Sequence, residues 1–380
     1  PRLSYLRCIE CGQTQPLADF PRGCPHCEQA GKPASLEAVY AGLPDSIDSQ
    51  LDSGFRWGAW LPYTCGVSLG EGRTPSFDLA ELAKELGIGR LSAKHEGMNP
   101  TGSHKDRMSS QAVTRALDVK AGSIVLASSG NAAVSAAAYC AAAGLACEVA
   151  TYGDLPPAYA RALKILGARR VSFDRSMDRW LHVRRRVEEE GAFPLTNYCM
   201  PPVGSPAFGV EGYRAIAFEC AREGCVPDHV IVPTARGDLL WGIYSGFRDL
   251  HEAGLVAKVP RMWAVEPFAR LANVLAGASA QGEFEGSTAQ FSIAGGTVTL
   301  QQVKAVRTSG GGAVVVNDAH AARGQARLGR EGIWVELCAG AAVGALAQLA
   351  ASRDVGPEDH ALIVLTARGD RDPFEAAQAL

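Results

Sequence analysis

From Gly122 onward the chain repeats one alternation, and it leaves few folds open. Ser123-Ile-Val-Leu-Ala127 is an apolar run short enough for a buried strand, Asn131 to Ala143 reads as a helix closed by Gly144, and Leu145 to Ala150 as the next strand. The cycle returns with a helix over Pro156 to Leu166 ended by Gly167, a strand at Arg170 to Phe173 and a charged, exposed helix over Met177 to Glu190. Strands separated by a helix cannot be joined as hairpins, so the pattern predicts a parallel sheet covered by helices on both faces. A second series follows: strands at His229 to Thr234, Met262 to Val265, Ala313 to Val316 and Ala361 to Leu365, with a helix over Leu239 to Ala253. The expected architecture is α/β, with two lobes at 41–205 and 206–380 and a boundary near Pro201-Pro202.

Residues 1–40 follow another rule. They concentrate four cysteines among prolines and glycines with little helical periodicity, and a segment this short buries too little core to stand by hydrophobic packing alone. Cys8-x-x-Cys11 and Cys24-x-x-Cys27 form two knuckles whose thiolates can converge tetrahedrally on one structural Zn²⁺, a zinc ribbon. The competing reading is a pair of redox or vestigial knuckles. His26 is a bystander, because four sulfurs fill the shell.

Composition excludes several classes. In 380 residues, 37 basic side chains stand against 40 acidic ones, a balance unsuited to gripping nucleic acid or an anionic membrane. The most apolar stretch, Asn131 to Cys147, is mostly alanine, too weakly hydrophobic for a bilayer. The start, Pro1-Arg2-Leu3, shows no secretory pattern, and eleven cysteines make a poor disulfide framework, so a cytoplasmic location is expected.

Ligands of open parallel sheets sit beyond the carboxyl ends of strands, which directs attention to the loops there. In Lys94-His-Glu-Gly-Met-Asn-Pro-Thr-Gly-Ser-His-Lys-Asp-Arg107, the Asn99 to Gly102 turn precedes a helix running through Leu117, with Ser103 as its cap and Lys105 in its first turn. The positive end of the helix dipole disfavours an ammonium there and so favours the neutral amine of Schiff-base chemistry; the plain alternative is a solvated surface lysine. Ser128-Ser129-Gly130-Asn131 lies between a strand and a helix start, where backbone N–H groups can cradle a carboxylate or merely cap the helix. Thr234-Ala235-Arg236-Gly237-Asp238 makes a third such loop, echoed by Thr366-Ala-Arg-Gly-Asp370.

Together these segments resemble the threonine synthase family, pyridoxal-phosphate enzymes of the tryptophan-synthase-β type, fold type II. The motifs are the Cys-x-x-Cys ribbon, Gly70-Glu-Gly-Arg-Thr-Pro75, Asn99-Pro-Thr-Gly-Ser-His-Lys-Asp-Arg107, Ser128-Ser-Gly-Asn-Ala-Ala133, Glu211-Gly-Tyr213 and the Thr366 loop with Asp372-Pro373. The resemblance implies that Lys105 carries pyridoxal 5'-phosphate as a Schiff base and shuttles protons. It also implies that Asn131 contacts the cofactor's phenolic oxygen, that Thr234 to Asp238 face its phosphate, that Thr366 faces the pyridine nitrogen, and that Ser128 to Asn131 hold the substrate carboxylate. A neutral hydroxyl at Thr366 would leave that nitrogen unprotonated. A homodimer is the common assembly of this fold.

The chain departs from the family pattern in three places. His104 stands where phenylalanine is usual, Leu337-Cys338-Ala339 where a Pro-x-Ser sequence is expected, and Ala235-Arg236-Gly237-Asp238 where a Gly-x-Gly-Gly phosphate loop belongs. Asp238 would repel a dianion if it pointed inward, and Arg236 would compensate by pairing with it. The implied reaction converts O-phosphohomoserine and water to threonine and phosphate. Lys94, Arg107, Arg161 and Arg236 are the cations expected near a phosphorylated substrate. The alternatives are an O-phosphoserine-dependent β-replacement of the cysteate synthase kind, another amino-acid biosynthetic synthase, or a non-catalytic relative that binds or regulates.

Overall fold

The computed structural model describes residues 3–47 and 54–372. Pro1, Arg2 and Pro373 of the motifs above lie outside the described residues. The chain divides into two compact units, Pro1–Gly72 with Lys105–Ala215, and Arg73–His104 with Ile216–Leu380.

The first unit holds a four-stranded parallel sheet in the order Arg169–Phe173, Ala146–Tyr152, Ser123–Ala127, Phe193–Pro194. Ile124, Val125 and Leu126 are fully buried, as a strand covered on both faces requires. The strand after Gly144 runs past Ala150 because Thr151 and Tyr152 pair with Ser172 and Phe173, a partnership invisible in local sequence. The helix Asn131–Ala143 ends where sequence places it, with Gly144 in the left-handed conformation at φ 67°. Its small residues pack on the helix Lys105–Asp118, and Ser135 Oγ donates to Asp106 Oδ1 at 2.6 Å in the buried seam.

Residues 3–40 fall within this unit. Their antiparallel sheet has the order Thr14–Gln15, Leu3–Cys8, Leu36–Tyr40. Arg115 on the Lys105 helix grips both carboxylate oxygens of Asp19, with Nε–O distances of 3.1 Å, which ties the segment to that helix.

The second unit carries a six-stranded sheet in the order Gly312–Val315, Arg261–Glu266, His229–Pro233, His360–Leu365, Arg90–His95, Ser76–Asp78, antiparallel only at the last pair. Residues 73–104 thus leave the expected 41–205 lobe, because Arg90–His95 pairs in parallel with His360–Leu365 along its whole length. This strand escapes an apolar-run reading since it buries Ser92 and Lys94. Lys94 is fully buried, with its Nζ 2.9 Å from Glu219 and donating to Thr74 O at 2.8 Å.

Candidate active site

The loop before Lys105 is stitched into the second unit by backbone bonds. Arg368 N donates to Gly102 O (3.1 Å), His104 N donates to Thr366 O (3.0 Å), and the Ser103 backbone forms an antiparallel bridge with Ala367. Thr74 Oγ1 and Asn99 Nδ2 both donate to the buried Glu96 carboxylate, at 2.7 and 2.9 Å, which fixes the turn ahead of the lysine. His104, where an aromatic hydrocarbon is usual, keeps a buried position by donating Nδ1–H to Thr366 O at 3.1 Å.

Lys105 is the first residue of the helix Lys105–Asp118 and is half-buried, while the residues from Asp106 to Ala116 are buried. So deep a helix holds its first residue in a fixed place. The Glu211–Arg214 turn packs against it because Gly212 has no side chain: a Cβ there would lie 2.0 Å from Arg107 O. That approach puts the Tyr213 ring 6.0 Å from Lys105 Nζ, a cation–π distance when the amine is protonated. Glu211 anchors the turn by accepting from Tyr40 Oη and Arg214 Nη1, each at 2.7 Å. The motif Glu211-Gly-Tyr213 is therefore the brace of the lysine, a role its residue types alone do not reveal.

Asn131 opens its helix and is buried, and Tyr159 Oη donates to its Oδ1 at 3.2 Å. The bond assigns the acceptor end of the amide to Tyr159 and leaves Nδ2 as its donor end. Glu71 secures the same helix, accepting from Tyr139 Oη at 2.7 Å and from Leu69 N at 3.0 Å. In the loop ahead, Ser129 Oγ accepts from Tyr152 N (3.2 Å) and Arg179 Nη1 (3.4 Å), and Ser128 Oγ accepts from Gly130 N (3.3 Å). These hydroxyls shape the loop, so what it offers an anion comes from main-chain N–H groups of the first helical turn.

In the second unit, Thr234 ends its strand with Oγ1 donating to Val232 O at 2.7 Å. Gly237 has φ 85° and would set a Cβ 2.5 Å from Gln302 Cβ, so glycine survives there when its neighbours do not. Asp238 begins the helix Asp238–Glu252, where the dipole favours an anion, and accepts from Gln301 Nε2. The carboxylate thus sits in the first turn of its own helix and is held there by Gln301. Thr299 Oγ1 donates to Arg236 O at 2.6 Å. Burial pulls the half-buried Arg236 guanidinium below its ordinary pKa, opposed by Asp238, an environment in which a bound anion would be favoured.

Sequence reading missed Arg270. It is almost wholly buried, donates from Nη2 to Thr234 O (2.9 Å) and from Nη1 to Gly295 O, and lies 3.4 Å from Glu266. It fastens the Thr234 loop. Its signal is its place just beyond the strand Arg261–Glu266, in a loop after a strand terminus. Of the cations expected near a substrate phosphate, Lys94 and Arg107 are buried, Lys94 in an ion pair with Glu219, and Arg161 is exposed on the helix Pro157–Ile165. A strand-centre lysine could not be told from a mouth lysine without its partner.

At the C-terminal edge, Thr366 Oγ1 donates to Glu336 Oε1 at 3.0 Å, both residues buried. The helix Leu337–Ser352 starts with leucine where proline is usual, and Asp372 accepts the Leu337 N–H that proline would lack, at 2.9 Å. In the N-terminal segment Cys8, Cys11, Cys24 and Cys27 place their sulfurs within 4.8 Å of one another, with Cys8–Cys27 at 3.6 Å and Cys11–Cys24 at 3.8 Å. A disulfide needs about 2.05 Å. A tetrahedron with Zn–S bonds of about 2.3 Å has edges of about 3.8 Å, which these spacings fit.

Parallel α/β units, with a lysine opening a buried helix and anion-competent loops after strands, define a class that comparison names. The chain belongs to the pyridoxal-phosphate dependent enzymes, whose family model matches residues 67–367. Within that class it belongs to the threonine synthase family. Threonine synthase of Methanosarcina acetivorans is 30% identical over 390 aligned positions, spanning 97% of this chain and 92% of that protein. That of Methanocaldococcus jannaschii is 28% identical over 98% of this chain and 94% of its own. The fold recurs in a fungal L-serine ammonia-lyase from Rhizomucor miehei, with TM-score 0.67 and 21% identity over 81% of this chain and 97% of that one. Among the described residues no helix is long and apolar enough to cross a membrane.

Proposed function

We propose that this protein is a threonine synthase that converts O-phosphohomoserine and water to threonine and phosphate. The observation that carries the reading is Lys105, fixed as the first residue of a buried helix and braced by the Glu211–Arg214 turn. The name shared by its relatives over nearly the whole chain supports the substrate.

Bound here, pyridoxal phosphate supplies an electron sink for charge developing on the substrate carbon skeleton. Lys105 would hold it through Nζ and would move the proton at the substrate Cα. Asn131 donates from Nδ2 to the cofactor's phenolic oxygen, and the start of its helix, Ser128 to Asn131, binds the substrate carboxylate through main-chain N–H groups. Thr234 to Asp238 hold the cofactor phosphate, with the Arg236 guanidinium standing in for the lost glycine amides. Thr366 faces the ring nitrogen. Cys8, Cys11, Cys24 and Cys27 hold one structural zinc with no open position, and so take no part in the chemistry.

Purified protein given O-phosphohomoserine should release phosphate and form threonine in equal amounts. Release of phosphate without threonine would transfer the reading to a relative with another acceptor, and activity with O-phosphoserine alone would reject the substrate. Arg236→Ala is expected to weaken cofactor affinity by about ten- to a hundredfold, the size of a charge-assisted pair of roughly 1.5–3 kcal/mol. Titration of the apoprotein with pyridoxal phosphate measures it; an unchanged dissociation constant would place Arg236 away from the phosphate.

A further inference from the structure

Thr366 has one hydroxyl proton, and it is committed. Oγ1 donates to Glu336 Oε1 at 3.0 Å, while Ser292 Oγ donates to Glu336 Oε2 at the same distance. An ionised carboxylate only accepts, so it dictates the direction of both bonds. Glu336 is the N-cap residue of the long helix Leu337–Ser352, a terminus at which negative charge is favoured. Its position is further set by Asp372, which accepts the Leu337 N–H, and by Ala339 N and Gly340 N, which donate to its own carbonyl at 2.9 and 3.1 Å. The backbone of Thr366 is fixed as well, its carbonyl accepting from His104 N and Nδ1.

With its proton turned to Glu336, Thr366 Oγ1 meets any further partner as an acceptor. We infer that Glu336 is a positioning residue that makes Thr366 an acceptor toward the cofactor's ring nitrogen, favouring the protonated ring. This deepens the cofactor reading above and rests on it. It reverses the expectation from residue type, since a neutral hydroxyl free to donate would favour the unprotonated nitrogen. A protonated ring draws electrons from the substrate more strongly, which suits a reaction that must expel phosphate from the γ carbon.

The test reads the nitrogen rather than turnover. The enzyme is reconstituted with pyridoxal phosphate carrying a heavy-nitrogen label in its ring, and the nitrogen NMR shift is recorded. The wild-type enzyme is expected in the upfield range of a pyridinium. Glu336→Gln, whose amide can donate to Thr366 and turn its proton, should move the signal toward neutral pyridine; Thr366→Val should do so too, and Thr366→Ser should restore the wild-type shift. A pyridine-like shift in the wild type overturns the inference, and so does a pyridinium shift indifferent to Glu336→Gln. If Glu336→Gln does not fold, the valine and serine variants still decide whether the acceptor sets the protonation. A protein that shows no visible cofactor absorbance at all fails at the earlier step, sinking the cofactor reading itself.

Discussion

Lys105→Ala is expected to lose at least about a thousandfold in turnover, together with the visible absorbance of lysine-bound cofactor. General acid–base transfer by one side chain is worth about a hundred- to ten-thousandfold, and this lysine is asked both to carry the cofactor and to move the proton. The variant should fold. Lys105 is half-buried at a helix start, where a cation opposes the dipole, and alanine is the better helix former. An unchanged thermal midpoint beside lost turnover would thus separate chemistry from stability. Borohydride reduction followed by peptide mass analysis should mark the peptide containing Lys105 in the wild type and nothing in the variant. Retained turnover would refute the assignment. The replacement candidates would then be Lys120 and Lys164, both exposed, because Lys94 is spent on Glu219 in the interior of the sheet.

Removal of zinc is the second large effect. A structural zinc contributes about 10–16 kcal/mol to the folding of a small Cys-rich segment, as much as whole domains possess in net stability. Besides its cysteines, the segment of residues 3–40 buries few apolar side chains, Leu6, Ile9, Ala34, Leu36 and Ala38. Metal analysis should find about one zinc per chain, and Cys24→Ser or a strong chelator should bring that to near zero. Protease should then cut within the segment. Well under one zinc in a protein whose N-terminal segment resists protease would end the proposal. Since Arg115 of the Lys105 helix holds Asp19, the same treatment should also blunt the lysine's placement, read as a modest fall in turnover rather than loss of the cofactor.

The strands at Ser123–Ala127 and His360–Leu365 and the helix Asn131–Ala143 were legible because each is settled by local physics: an apolar run covered on both faces, or a helix closed by a glycine at positive φ. The knuckle spacing and the helix-start lysine belong to the same kind, since neighbours in sequence set their geometry. Arg90–His95 did not, for its polar residues enter the core only by virtue of Glu219 and Thr74, partners distant in sequence. Nor did the fate of Asp238, whose charge is absorbed by Gln301 and its own helix, or that of Arg270, which fastens Thr234 from a loop with no motif.

The amino-acid sequence determined the alternation, the family and the residue types available for catalysis and metal binding. Only the tertiary structure decided which polar groups face one another, and so which way each proton points. Thr366 is the clearest case: the residue type permits donor or acceptor, and a carboxylate thirty positions away selects one. A hydroxyl's direction is a property of its partner, and partners across a sheet are chosen by packing.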